Sequence, residues 1–72
     1  MQRWEYLHVR TFQYEFDTTA YCVNVNGQGL KDREPLHAFL NQLGMEGWEM
    51  IGATVASELG DSHYLFFKRP RP

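Results

Sequence analysis

The chain has 72 residues with a formal net charge of −2, 43% hydrophobic residues and one cysteine, Cys22. That length holds a single domain, which at this size buries only roughly 60% of the surface its unfolded chain exposes. One cysteine permits neither an internal disulfide nor a thiolate zinc cluster, so of the usual supports for a small core only oligomerisation is left open. The acidic balance counts against broad nucleic-acid affinity, because neutralising phosphates needs an excess of Lys and Arg. No apolar run approaches the roughly 18 residues of a membrane span. The opening MQRWEYLHVR lacks the apolar core of an export signal. A reducing, cytoplasmic setting is expected, with Cys22 between Tyr21 and Val23 as a packed strand thiol.

Residues 3–16, RWEYLHVRTFQYEF, alternate with period two. Trp4, Tyr6, Phe12, Tyr14 and Phe16 hold one parity, and Leu7 and Val9 the other. Such alternation in aromatic and β-branched residues predicts a long first strand. Asp17-Thr18-Thr19 reads as a turn, and Tyr21, Val23 and Val25 resume the alternation in a second strand over about 20–26 that pairs back on the first. Asn26-Gly27 tolerates positive φ at both positions and marks a turn. Residues 27–30, GQGL, follow as a loop or a short strand return.

A helix over about 33–43 comes next. Asp32 is its expected N-cap, Glu34 lies in the first turn where the helix dipole favours an acid, and Pro35 is tolerated there. Leu36, Phe39, Leu40 and Leu43 form an apolar stripe, opposite the solvated His37, Ala38, Asn41 and Gln42. Gly44 reads as the left-handed stop with Met45 packing back on Leu40, and Gly47 as a second change of direction. Trp48 opens a third strand to about 57, Leu59-Gly60-Asp61 supplies a hairpin turn, and residues 62–69 form the last strand. Residues 70–72 are a short tail whose prolines block further pairing. The predicted fold is α+β: a four-stranded antiparallel sheet, ββαββ along the chain, with one helix on one face.

Such a sheet has more apolar side chains than one helix covers. By parity, Leu7, Val9, Ile51, Val55, Leu65 and Phe67 line one face, and Trp4, Tyr6, Trp48, Met50, Tyr64 and Phe66 the other. Each aromatic buries about 150–250 Å², and soluble monomers rarely leave more than roughly 300–600 Å² of contiguous apolar surface bare. A second subunit or another partner is expected on the uncovered face; the alternative is that residues 10–31 fold over it.

The chemical motifs are sparse. Gly44 and Gly47 follow a helix and precede a strand, the reverse of a phosphate loop, so they form a structural corner together with Met45. His8, His37 and His63 have no close metal-ligand spacing. Glu46 and Glu49 flank Trp48 as solvated turn acids, and no nucleophile has a base beside it in sequence, so neither a catalytic site nor a cofactor is expected. The tail Lys68-Arg69-Pro70-Arg71-Pro72 follows Tyr64-Leu65-Phe66-Phe67, and aromatics beside arginines are able to stack single-stranded bases. The acidic total favours a solubilised strand end instead.

Trp4-Glu5-Tyr6, the run Leu40-Asn41-Gln42-Leu43-Gly44-Met45-Glu46-Gly47-Trp48-Glu49 and the closing Phe67-Lys68-Arg69 together resemble the bacterial domain of unknown function 4177 family. The resemblance covers the first strand and residues 36–69, leaving the 10–31 segment outside. It implies a small α+β domain and carries no assigned activity or catalytic residues. The reading at this stage is a cytoplasmic, self-associating, non-enzymatic interaction module. Its alternatives are a small-ligand binder with a cleft between subunits walled by Trp4, Tyr6, Trp48, Tyr64 and Phe66, and a weak single-stranded nucleic-acid binder.

Overall fold

The computed structural model describes residues 1–13, 19–58 and 60–72; the predicted strand end at Tyr14 and Phe16, the turn residues Asp17 and Thr18, and Leu59 lie outside them. The first alternating segment forms strand β1 (Arg3–Gln13) and the second forms β2 (Ala20–Val25). Asn26 and Gly27 both have positive φ, 51° and 85°, as a two-residue hairpin turn demands. β1 holds that turn: the His8 N–H donates to Asn26 Oδ1 at 3.0 Å, and the Asn26 N–H to the His8 carbonyl at 2.8 Å. The chain continues as β3 (Gln28–Gly29), helix α1 (Leu36–Met45), β4 (Glu49–Val55) and β5 (Ser62–Arg71). All strand pairs are antiparallel, in the order β3-β2-β1-β5-β4.

The four-stranded ββαββ expectation is thus corrected to five strands, βββαββ. The Asn-Gly turn brings Gln28 opposite Val25 and Gly29 opposite Asn24, which makes the short return a strand. β5 also runs through Pro70 to Arg71, opposite Trp4 and Arg3, instead of ending before the prolines. Pairing with β4 stops at Lys68, so Pro70 has one neighbouring strand, and a missing N–H is tolerated there.

The helix starts later than expected, with Pro35 and not Asp32 at its N-cap and no side-chain cap. A residue before proline avoids the α region. Glu34 therefore falls outside the first turn, and its carbonyl accepts the Cys22 N–H from β2 at 2.9 Å. The helix stop is displaced too. Gly44 lies inside the helix, and the left-handed residue is Gly47, with φ 90°. The Trp48 N–H donates to the Leu43 carbonyl at 3.0 Å and the Gly47 N–H to the Gly44 carbonyl at 3.1 Å, the paired bonds of a Schellman motif. Trp48 packs with Leu43 against the core, where Met45 on Leu40 was expected; Met45 is exposed. Continuing the helix through Gly44 costs only about 1 kcal/mol, and it gives the burying position to the larger side chain.

Leu43 packs on Val9, Cys22, Leu65 and Phe67, with Leu36, Phe39, Leu40 and Trp48 around them. These strand residues share one side of the sheet, since Val9 lies opposite Leu65 and Leu7 opposite Phe67. The helix runs closest to β2, while β4 at the far edge is exposed along its whole length.

The displaced stop separates the two glycines energetically. Gly44 has no positive φ, and a Cβ there meets nothing within 4 Å, so Gly44→Ala should raise stability. In urea denaturation we expect a gain of about 0.5–1 kcal/mol for Gly44→Ala and a loss of about 1 kcal/mol for Gly47→Ala. The opposite pair of signs would return the stop to Gly44.

Candidate functional site

Residues directly opposite each other in an antiparallel pair project to the same side. The pairs Trp4–Pro70, Tyr6–Lys68, His8–Phe66 and Arg10–Tyr64 therefore gather Trp4, Tyr6, Tyr64 and Phe66 on the face away from α1. Trp4, Tyr6 and Phe66 are 38%, 65% and 40% exposed, and Tyr64 is half-buried. Polar groups lie over this face as well. Lys68 Nζ sits 4.1 Å from the centroid of the Trp4 ring, and the His8 and Phe66 rings lie 6.5 Å apart.

Trp48 and Met50 do not belong to that face, which corrects the parity reading. Trp48 is part of the helix stop and packs beneath the sheet, and β4 begins only at Glu49. Met50 lies opposite Phe67, and the register slips before Gly52, which lies opposite Phe66. Ile51 is the extra residue of a β-bulge, so parity counted through it changes side. Ala53 and Val55 follow on the helix side, opposite Leu65 and His63.

The helix does not reach them. Met50, Ile51 and Val55 are 44%, 49% and 57% exposed, and Met45 at the end of α1 is exposed beside them in sequence. Among the described residues β4 has a neighbour on one edge only, so its outer backbone groups face away from the sheet. Parity put Ile51 and Val55 on one face with Leu7, Val9, Leu65 and Phe67. What it missed is that the strand after the helix takes the sheet's margin, and strand order leaves no local signature. One hint was legible: Glu49–Val55 contains no Lys, Arg or Pro, the residues that usually guard an edge.

The residues that looked most motif-like are occupied with each other. Arg69 lies opposite Glu5 and pairs with its carboxylate, its Nη1 donates to the Glu46 carbonyl at 2.9 Å, and its guanidinium carbon lies 4.3 Å from the Trp48 ring centroid. Glu46 thus contributes its main chain, not an acid, and Glu49 lies opposite Lys68 at the head of β4. With Lys68 on Trp4 and Arg69 in this cluster, two cations of the basic tail are already engaged. The histidines stay apart on β1, α1 and β5; His37 meets Asn41 at 3.5 Å one helical turn on. Among the described residues no three His, Cys, Asp or Glu side chains gather as metal ligands, and no helix is long and apolar enough to cross a membrane.

Compared with protein-family models, curated proteins and solved structures, the chain matches none.

Cys22 is fully buried in the core. Burial, and secondarily the negative charge of Glu34, push its pKa from the ordinary 9.0 up to about 11. The thiol should therefore resist alkylation in the folded chain at neutral pH. Between pH 9 and about 11 the unfolded chain releases a proton that the folded chain keeps, so stability falls as pH rises through that window. We expect the wild type to lose about 2–3 kcal/mol more than Cys22→Ala across it in urea denaturation. Equal losses would show that the thiol does not titrate differently in the two states.

Proposed function

We propose that the chain is a non-enzymatic assembly module in which a second copy pairs along β4, in a reducing, cytoplasmic setting. The observation that carries this reading is β4 itself: an edge strand exposed at all its residues from Glu49 to Val55, with Met50, Ala53 and Val55 on its helix side and Ile51 at the bulge, and without a protecting cation or proline. An exposed strand edge is a template for another strand, because its outer N–H and C=O groups have only water as partners. Antiparallel pairing of β4 with its own copy is self-complementary, as a two-fold interface requires. Centred on Gly52, it sets Glu49 of each copy opposite Val55 of the other, so the strand's single charge never meets its like. The bulge at Ile51, opposite Ala53 of the other copy in this register, kinks the edge.

Self-pairing also meets the needs of a small domain. It extends two marginal cores across one sheet and covers Met50, Ile51 and Val55 on either side of the seam. Nothing in this arrangement calls for chemistry, and the grouped Glu5, Glu46, Trp48 and Arg69 serve as a brace.

Sedimentation equilibrium at micromolar concentration tests the proposal. The wild type should show twice the 8.5 kDa chain mass. Ile51→Lys combined with Val55→Lys should give a folded monomer, because both side chains are exposed in the single chain. A monomeric wild type, or a dimer unmoved by the two lysines, would overturn β4 pairing.

A further inference from the structure

A depression of about 310 Å³ opens near the other margin of the sheet, lined by Arg10, Phe12, Val23, Asn24 and Arg33. Its origin is local. The β1–β2 register slips between Arg10 and Thr11, so that Arg10 lies opposite Asn24, Thr11 opposite Cys22, and Val23 is the extra residue. A bulged strand bends and re-aims its side chains. Cys22 turns into the core, while Val23 and Asn24 both line the hollow together with Arg10 and Phe12 of β1. Arg33, from the segment leading to the helix, completes the lining.

Arg10 gives the hollow its chemistry. Its Nε is sealed from solvent and has no hydrogen-bond partner, and among the described residues no carboxylate pairs with it. A guanidinium that has lost water at one nitrogen without gaining an acceptor is costly to leave so; with Nε sealed, an anion in the hollow would meet the charge through the remaining N–H groups of the planar fork. The chain contains such a match elsewhere: Arg69 on β5 has its carboxylate in Glu5 on β1. Arg33, which is itself engaged, adds positive charge to the wall. Phe12 and Val23 supply an apolar side, and Asn24 an amide able to donate or accept. A pocket that pairs a few convergent polar groups with an aromatic wall is the usual form of a small-molecule site, and this volume is at the small end of the range.

We infer that the hollow at the β1–β2 bulge binds a small organic carboxylate, its anion on Arg10 and its apolar part against Phe12 and Val23. The net charge of −2 makes diffuse attraction of anions unfavourable, so binding of one depends on this local arrangement. β1 and β2 are separated from β4 by β5, so the inference stands whether or not the chain self-associates.

Titration of the full chain with benzoate, followed by the amide and Asn side-chain signals in nitrogen–proton correlation spectra, tests it. Saturable shifts should centre on Arg10, Phe12, Val23 and the Asn24 side-chain amide. Benzamide, the neutral isostere, should produce none, and Arg10→Gln should weaken benzoate binding by at least about tenfold. Shifts that fail to saturate, that appear equally with benzamide, or that map elsewhere would overturn the inference. So would undiminished binding by Arg10→Gln. The benzamide comparison decides the matter on the wild type alone should that variant not fold.

Discussion

The guanidinium of Arg69 ties the end of helix α1 to the sheet, and the placement of every other surface follows from it. Three kinds of partner meet on one planar group: the Glu5 carboxylate, the Glu46 carbonyl at the helix C-terminus and the face of Trp48. The ion pair is about a third exposed at each side chain, so its Coulomb part alone is modest. Its worth lies in the combination. Arginine's rigid fork serves a carboxylate and a main-chain acceptor together while its face stacks on an aromatic ring, and a positive charge suits the negative end of the helix dipole. At the other end of the helix, the Cys22 N–H holds the Glu34 carbonyl to β2. The helix is thereby pinned from β2 at its start to β1 and β5 at its stop, and β4 lies beyond its reach.

Two surfaces result. On the face away from the helix, exposed aromatics are partly satisfied by the chain's own groups, as Lys68 over Trp4 shows. At β4 there is no such partner among the described residues: the exposed side chains of Met50, Ile51 and Val55 and a row of outer backbone groups coincide in one strand. An uncovered sheet face leaves only apolar area exposed, whereas an uncovered edge also leaves directional hydrogen bonds unmade by protein. That difference is why we propose self-association at the edge and not on the aromatic face. Of the residues that suggested the domain of unknown function 4177 family, Glu5, Glu46, Gly47, Trp48 and Arg69 converge on the helix stop and its brace, and no family model matches the chain.

Much of the architecture was legible in the residues. Period two over Arg3–Gln13 and Ala20–Val25, the Asn26-Gly27 turn and the stripe Leu36, Phe39, Leu40, Leu43 each express one local rule strongly enough to be read without tertiary context. Other features depend on competition or on distance. Pro35 displaced the cap because it acts on the residue before it. Gly44 and Gly47 both suited a helix stop, and the choice fell to whichever let a large side chain reach the core. The bulges at Val23 and Ile51 change the meaning of parity downstream, and nothing in the neighbouring residues announces them. The Arg10 hollow was invisible for that reason, and the β4 margin left only its lack of Lys, Arg and Pro: each depends on how strands pair, a property of pairs and not of segments.

The central claim is that Arg69 acts through geometry and not through charge alone, and Arg69→Lys examines it directly. Lysine keeps the positive charge but lacks the planar fork that reaches Glu5, the Glu46 carbonyl and the Trp48 ring at once. In urea denaturation the account predicts that Arg69→Lys loses about 1–2 kcal/mol, close to the loss for Arg69→Met. A lysine variant with the wild-type midpoint would contradict it and reduce the brace to a simple ion pair.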